Sequence, residues 1–144
     1  MELSCKAEYT LLALIELATA YQSERLLQIR QIAAKQNIPE RYLDQLLATL
    51  RRGGLIKGIR GAKGGYILAR EPGKITLLDA LRCIEGVDIA SVETATSEAV
   101  ESHIVEETWH SAEQAANAVW QKYTLQDLCE RISARKQLDH MYYI

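Results

Sequence analysis

Cysteine is scarce and scattered. The chain holds three, Cys5, Cys83 and Cys129, and no two of them stand at a CxxC spacing, so neither a zinc knuckle nor a dithiol redox motif is encoded. Long apolar runs are missing too. The apolar residues from Leu11 to Ala20 are interrupted by Glu16 and lack a basic lead-in, which argues against a signal peptide or a membrane span. A cytoplasmic protein with no membrane partner is the expectation, and disulfides are not expected there. There is no GxSxG elbow, no P-loop, no HExxH and no dinucleotide fingerprint. The one Gly-rich stretch, Gly61–Gly65, lacks the following helix and Ser/Thr that a phosphate loop requires. Enzymatic function is therefore not expected. No internal repeat or low-complexity segment is found.

What remains is an ordinary globular composition: 144 residues, 48% hydrophobic and 25% charged, enough for one self-sufficient core and an added arm. The net charge of −2 speaks weakly against nucleic acid, but its distribution does not. Residues 1–82 carry 13 Lys/Arg against 8 Asp/Glu, a net of +5, whereas residues 83–144 carry 4 against 11, a net of −7. The densest stretch, Arg51–Lys74, places Arg51, Arg52, Lys57, Arg60, Lys63, Arg70 and Lys74 against Glu71 alone. Phosphate contact needs such local concentration; a merely solvated positive face is the alternative.

Helical periodicity dominates. Leu11, Leu14, Ile15 and Ala18 predict a helix over 5–20, and Ile29, Ile32 and Ala33 a short one over Leu27–Gln36. Asn37 breaks the second, and Pro39 suits the first turn of a third. That third helix carries Leu43, Leu46, Leu47 and Leu50 at i, i+3, i+4, i+7, with Glu40, Arg41, Asp44, Gln45 and Ala48 opposite. Gly53-Gly54 ends it. Leu55–Arg60 and Tyr66–Ala69 then flank the glycine-rich loop as a hairpin. Thr76-Leu77-Leu78-Asp79 resembles a capping box and opens a short helix to Gly86. Residues 87–97 read as a loop.

A long helix follows over Glu98–Lys122. Its apolar stripe is Val100, Ile104, Thr108, Ala112, Ala115, Val119 and Tyr123, broadened by Val105, Ala116 and Trp120. A stripe of about 25 residues exceeds what one small core covers, so a partner helix is expected to bury the rest. Val100, Ile104, Thr108, Ala112, Ala115 and Val119 are the candidate dimerisation residues. Thr124-Leu125-Gln126-Asp127 caps a final helix with Leu125, Leu128, Cys129 and Ile132 inward, and the tail Leu138–Ile144 is expected to pack against something. The fold class is mainly α: a winged helix-turn-helix over 1–86 with a two-stranded β wing, a loop over 87–97, and a dimerisation helix with a C-terminal helix over 98–144.

Four stretches carry a resemblance to a known family: Gln28–Ala33, Ile38–Leu47, Leu50–Ile56 and Arg60–Tyr66, with Leu3-Ser4 and Tyr9 ahead of them. In motif and spacing they resemble the Rrf2 family of winged-helix transcription regulators (the IscR, NsrR, RirA and CymR type). The match is dense from residue 1 to about 86; beyond that only the long-helix layout is similar. The resemblance implies a homodimer on a palindromic double-stranded DNA operator, with the third helix in the major groove and the wing in the minor groove. It also implies that Arg41, Tyr42, Asp44 and Gln45 face the groove and that Arg60 stands at the wing base. Thr49 and Arg51 on the same helix, with Gly61, Lys63, Gly64 and Gly65 in the wing, complete the candidate DNA-binding set. The chemistry agrees: Gln pairs with adenine, Arg with guanine, and a carboxylate accepts from cytosine N4. A glycine-rich tip also lets backbone enter a narrow groove that attracts Arg and Lys. For Arg41 and Asp44 a surface salt pair is the bland alternative.

Many members of that family bind an iron–sulfur cluster through three cysteines in the loop before the long helix; here residues 87–110 contain no cysteine. A variant pattern in the family uses an acidic residue and a His in the first helix plus two later cysteines. Glu8 is present, but Leu12 stands where the His would be. No conventional cluster is expected. Were a variant one to exist, Cys83, nearest the loop and off its helix's apolar side, is the first candidate ligand, with Cys5, Glu8 or His103 completing it. Cys129 reads as core, while Cys5 near a helix start is open to a lowered pKa. His103, Glu106, Glu107 and His110 lie opposite the apolar stripe and read as a solvated face, and His103 and His110, about 10 Å apart along the axis, are too far apart to share one ion. Two readings compete with a DNA-binding regulator: a winged-helix module that works only through protein partners, and a thiol or iron–sulfur redox sensor. The signal divides among an unusual cluster, a thiol switch, and a protein partner or small-molecule effector.

Overall fold

The computed structural model describes residues 3–85 and 99–142. Helix α1 (Cys5–Tyr21) is capped by Ser4, whose hydroxyl accepts from the Ala7 N–H at 3.1 Å. Helix α2 (Ile29–Gln36) starts two residues later than its periodicity predicts, because Leu27 is used elsewhere. Asn37 ends α2 with a left-handed φ of 54°, and Pro39 sits just outside α3 (Glu40–Arg52) rather than within its first turn. The four leucines of α3 are buried, as their spacing requires.

Strands β1 (Ile56–Ile59) and β2 (Gly65–Leu68) pair antiparallel, with Ile56 opposite Leu68 and Ile59 opposite Gly65. Leu27 adds a third backbone segment to this wing. Its N–H donates to the Tyr66 carbonyl at 3.0 Å and its carbonyl accepts from the Tyr66 N–H at 2.7 Å. A 3-10 turn, Pro72–Lys74, leads to α4 (Leu77–Glu85), and beyond the undescribed segment come α5 (Val100–Lys122) and α6 (Leu125–Tyr142).

Both Thr-x-x-Asp signals are reciprocal caps. The Thr76 N–H donates to Asp79 Oδ2 and the Asp79 N–H to Thr76 Oγ1, each at 3.0 Å; Thr124 and Asp127 repeat the arrangement at 2.9 and 3.2 Å. The sequence pattern does not reveal that the two caps also pair with each other. Leu77 N–H donates to the Tyr123 carbonyl and Leu125 N–H to the Ile75 carbonyl, which fastens the start of α6 to the start of α4.

One core gathers Leu14, Leu17, Ile32, Leu43, Leu47, Leu50, Ile56, Ile75 and Leu125. It therefore extends past the wing and α4 to the first turn of α6. The stripe of α5 divides. Ala116, Trp120 and Tyr123 are half-buried, with Trp120 and Tyr123 packed against the core, while Val100, Ile104, Thr108, Ala112, Ala115 and Val119 are all exposed in the single chain. Residues 138–142 of the predicted tail end α6, and 143–144 lie outside the described residues; Leu138, Met141 and Tyr142 stand exposed in the single chain. The loop expected over 87–97 lies outside the described residues, as do Gly86 and Glu98.

Candidate nucleic-acid interface

On α3 the burial of Leu43, Leu46, Leu47 and Leu50 fixes the outward face. Arg41, Asp44 and Gln45 are exposed on it, and Thr49 is half-buried with its hydroxyl turned back to the Gln45 carbonyl at 3.0 Å. That back-bond occupies the Thr49 hydroxyl within the helix. Tyr42 is also half-buried. Its ring meets Tyr9 of α1 edge to face, with centroids 5.6 Å apart and planes at 73°, a favourable aromatic geometry that holds the ring in one orientation. Neither ion pair in the described residues joins Arg41 to Asp44; they are Lys35–Glu16 and Arg70–Asp79.

The wing owes its shape to close backbone approach. A Cβ on Gly64 would collide with the Ile59 carbonyl oxygen, and one on Gly65 would stand 2.7 Å from the Leu27 carbonyl oxygen. Gly61 turns the loop with a φ of 124° that side chains rarely adopt. Arg60 and Lys63 project from this loop and are exposed. Arg51, at the end of α3, and Arg60 line one open cleft of about 520 Å³ between α3 and the wing. The two ends of α3, at Glu40 and Arg51, and the wing thus border a common cleft, while Arg41, Asp44 and Gln45 are exposed on α3 outside its lining.

The cysteines do not come together. Cys5 is exposed at the start of α1. Cys83 is not off its helix's packed side, as its spacing suggested: it is half-buried, its thiol donates to the Thr49 carbonyl at 3.4 Å, and it presses against Gly53 so closely that a Cβ there would collide with Sγ. Burial pushes the Cys83 thiol up from its ordinary value, against smaller opposing effects from the Gly53 N–H and Arg52. Cys129, also half-buried, is pushed up by burial as well, opposed in part by Thr19 and reinforced by Glu16 and Glu130. Both are protonated at neutral pH, the unreactive form. His103 and Glu107 are exposed on α5, and His110 approaches Gln114 at 3.1 Å.

A model of the Rrf2 family, described as iron-dependent transcriptional regulator, matches residues 3–131. The chain belongs to the Rrf2 family. It is 38% identical to the HTH-type transcriptional regulator CymR of Bacillus subtilis over 144 residues, all of both chains. The solved structure of that CymR (YrzC), the global cysteine regulator of B. subtilis, superposes with a TM-score of 0.75, covering 91% of this chain and 98% of the other. IscR of T. potens superposes with a TM-score of 0.76 at 34% identity, covering 92% and 88%. The fold is therefore the winged helix expected, and the protein is a DNA-binding transcription regulator rather than an enzyme.

Iron is implied by the family description, and the donor set is the test of fit. Among the described residues no three His, Cys, Asp or Glu side chains gather as a metal-binding group. Cys83 and Cys129 are protonated thiols packed against α3 and α1, and in the undescribed segment the sequence offers Asp88 and Glu93, hard oxygen donors that suit cluster iron poorly. The described residues, as placed in one protomer, do not fit a cysteine-held cluster.

Proposed function

We propose that the protein regulates transcription in the cytoplasm as a homodimer on a palindromic operator, with α3 in the major groove and the wing in the adjacent minor groove. The observation that carries this reading is that α3 keeps Arg41, Asp44 and Gln45 exposed while its end, at Arg51, shares an open cleft with Arg60, Gly61, Gly64 and Gly65 of the wing. Gln45 and Arg41 are the base-edge readers, Asp44 accepts from cytosine, and Tyr42 is held ready by Tyr9. Arg60 and Lys63 enter the minor groove, and the glycines let the backbone follow them.

Dimerisation rests on α5. Val100 is 71% exposed, Ile104 54% and Val119 50%, and Val105 and Trp109, the latter not foreseen as part of the face, are 67% and 69% exposed. No residue of this 23-residue helix is buried in the single chain. An apolar face of that length is covered by its symmetry mate, which also sets two copies of α3 at the spacing a palindrome demands. The division of labour is that residues 1–86 contact DNA and the exposed face of α5 joins the protomers, while the start of α6 is anchored in the DNA-binding core through Leu125. The signal is read without a three-cysteine cluster, through a protein partner or small effector or through a thiol.

Ile104→Glu tests the assembly. Light scattering at micromolar concentration is expected to give a dimer for the wild type and a folded monomer for the variant, with operator binding lost. A wild-type monomer under those conditions contradicts the proposal.

A further inference from the structure

The cleft bordered by α3 and the wing has a lining that these two elements alone do not explain. Its third wall is the start of α2. Arg30 and Gln28 line it together with Arg51 and Arg60, and the backbone of Gly64-Gly65 forms its floor toward the wing. Arg30 is exposed but not loose. Its Nε–H donates to Gln28 Oε1 at 3.1 Å, and the Gln28 backbone N–H is itself held by Gln31 Oε1 at 2.8 Å. Three arginines therefore line one concavity, from α2, α3 and the wing. The single carboxylate of the lining is Glu40, and neither ion pair of the described residues involves any of these four charged groups.

Duplex geometry says what such a cleft meets. Adjacent major and minor grooves are separated by one sugar-phosphate strand. A protein with α3 in one groove and its wing in the next must straddle that strand, and the cleft between the two elements is where the strand passes. Arginine is the side chain best suited to grip phosphate oxygens in a fork.

We propose that this cleft clamps the intervening DNA backbone and that Arg30, on α2, is a phosphate-contacting residue of the interface. The inference rests on the docking reading given above. Arg30 contributes affinity and footprint, and carries no base information. Gln28 is a positioning residue that keeps the Arg30 guanidinium turned into the cleft.

The test is a salt titration of full-length wild type, Arg30→Ala and Arg30→Lys against a selected operator duplex, read by fluorescence anisotropy. Each lost phosphate contact lowers the slope of log K against log salt by about 0.9, so a dimer losing two becomes shallower by about 1.8. The wild-type advantage over Arg30→Ala then shrinks about twelvefold between 50 and 200 mM salt. Arg30→Lys restores the slope, because the contact is one of charge, and the preferred sequence is the same for all three proteins. An unchanged slope in Arg30→Ala overturns the assignment. So does failure of lysine to restore the slope, or a changed base preference in either variant. A wild type that binds no duplex removes the docking reading itself, an outcome distinct from a wild type that binds with the slope of Arg30→Ala.

Discussion

Replacing Gly65 by Ala should unfasten the wing while leaving the core intact. The added Cβ would lie 2.7 Å from the Leu27 carbonyl oxygen and 3.0 Å from its carbon, well inside van der Waals contact. Relief requires β2 to move off Leu27, which sacrifices the two backbone bonds of the Leu27–Tyr66 bridge, at 3.0 and 2.7 Å. At about 1 kcal/mol net for each hydrogen bond, the wing loses about 2 kcal/mol of attachment. Amide exchange at Leu27 and Tyr66 should then quicken about 30-fold. Exchange at Leu14, Leu47 and Leu50, which lie in the core, should change far less. DNA affinity should fall by up to about 30-fold, since only molecules with the wing seated bind fully. Unaltered exchange at Leu27 and Tyr66 would refute the claim that close backbone approach dictates glycine here.

Gln45→Ala is expected to relax base preference at one operator position by about 1–3 kcal/mol, measured by competition with single-base variants, while Arg60→Ala weakens binding to every duplex. Alkylation by iodoacetamide followed by peptide mass spectrometry should label exposed Cys5 far faster than Cys83 or Cys129 in the folded protein, with the difference abolished in denaturant. Because burial raises both inner thiols, their stabilising contribution is complete below the unfolded thiol pKa of about 8.5 and is lost as pH rises through the folded values. Denaturant midpoints should therefore decline above about pH 8.5, and less so in Cys83→Ala. Oxygen-free purification should yield no stoichiometric iron and sulfide; a brown, sulfide-containing protein would contradict the reading of the cysteines.

Much of the fold is written in short-range signals. The leucine spacing of α3, the glycines of the wing and the two Thr-x-x-Asp caps each specify local geometry, and each forms as its chemistry requires. Long-range partnerships are what the chain conceals. The pairing of Leu27 with Tyr66 delays the start of α2, and nothing at residues 27–29 announces a strand partner 39 positions away. Helical periodicity marks Trp120 and Ile104 as one stripe, yet only packing decides that Trp120 faces the protein's own core and Ile104 does not. Cys83 shows the same limit. Its neighbour is Gly53, whose missing side chain makes the space, and a pattern of apolar residues does not register a gap. At the interface, the family-like motif picks out Arg41, Gln45 and Arg60. Arg30 escapes notice because its place in one cleft with Arg51 and Arg60 depends on how α2 meets the wing.

The central claim is specific, symmetric DNA recognition. Its most direct measurement is selection of bound sequences from a pool of random duplexes by the full-length wild type at low salt, followed by footprinting of the enriched site. The account predicts an inverted repeat whose half-site centres are about 10–10.5 base pairs apart or a multiple of that, protected by one dimer. Enrichment of no sequence, or of a single asymmetric site occupied by a monomer, would contradict it.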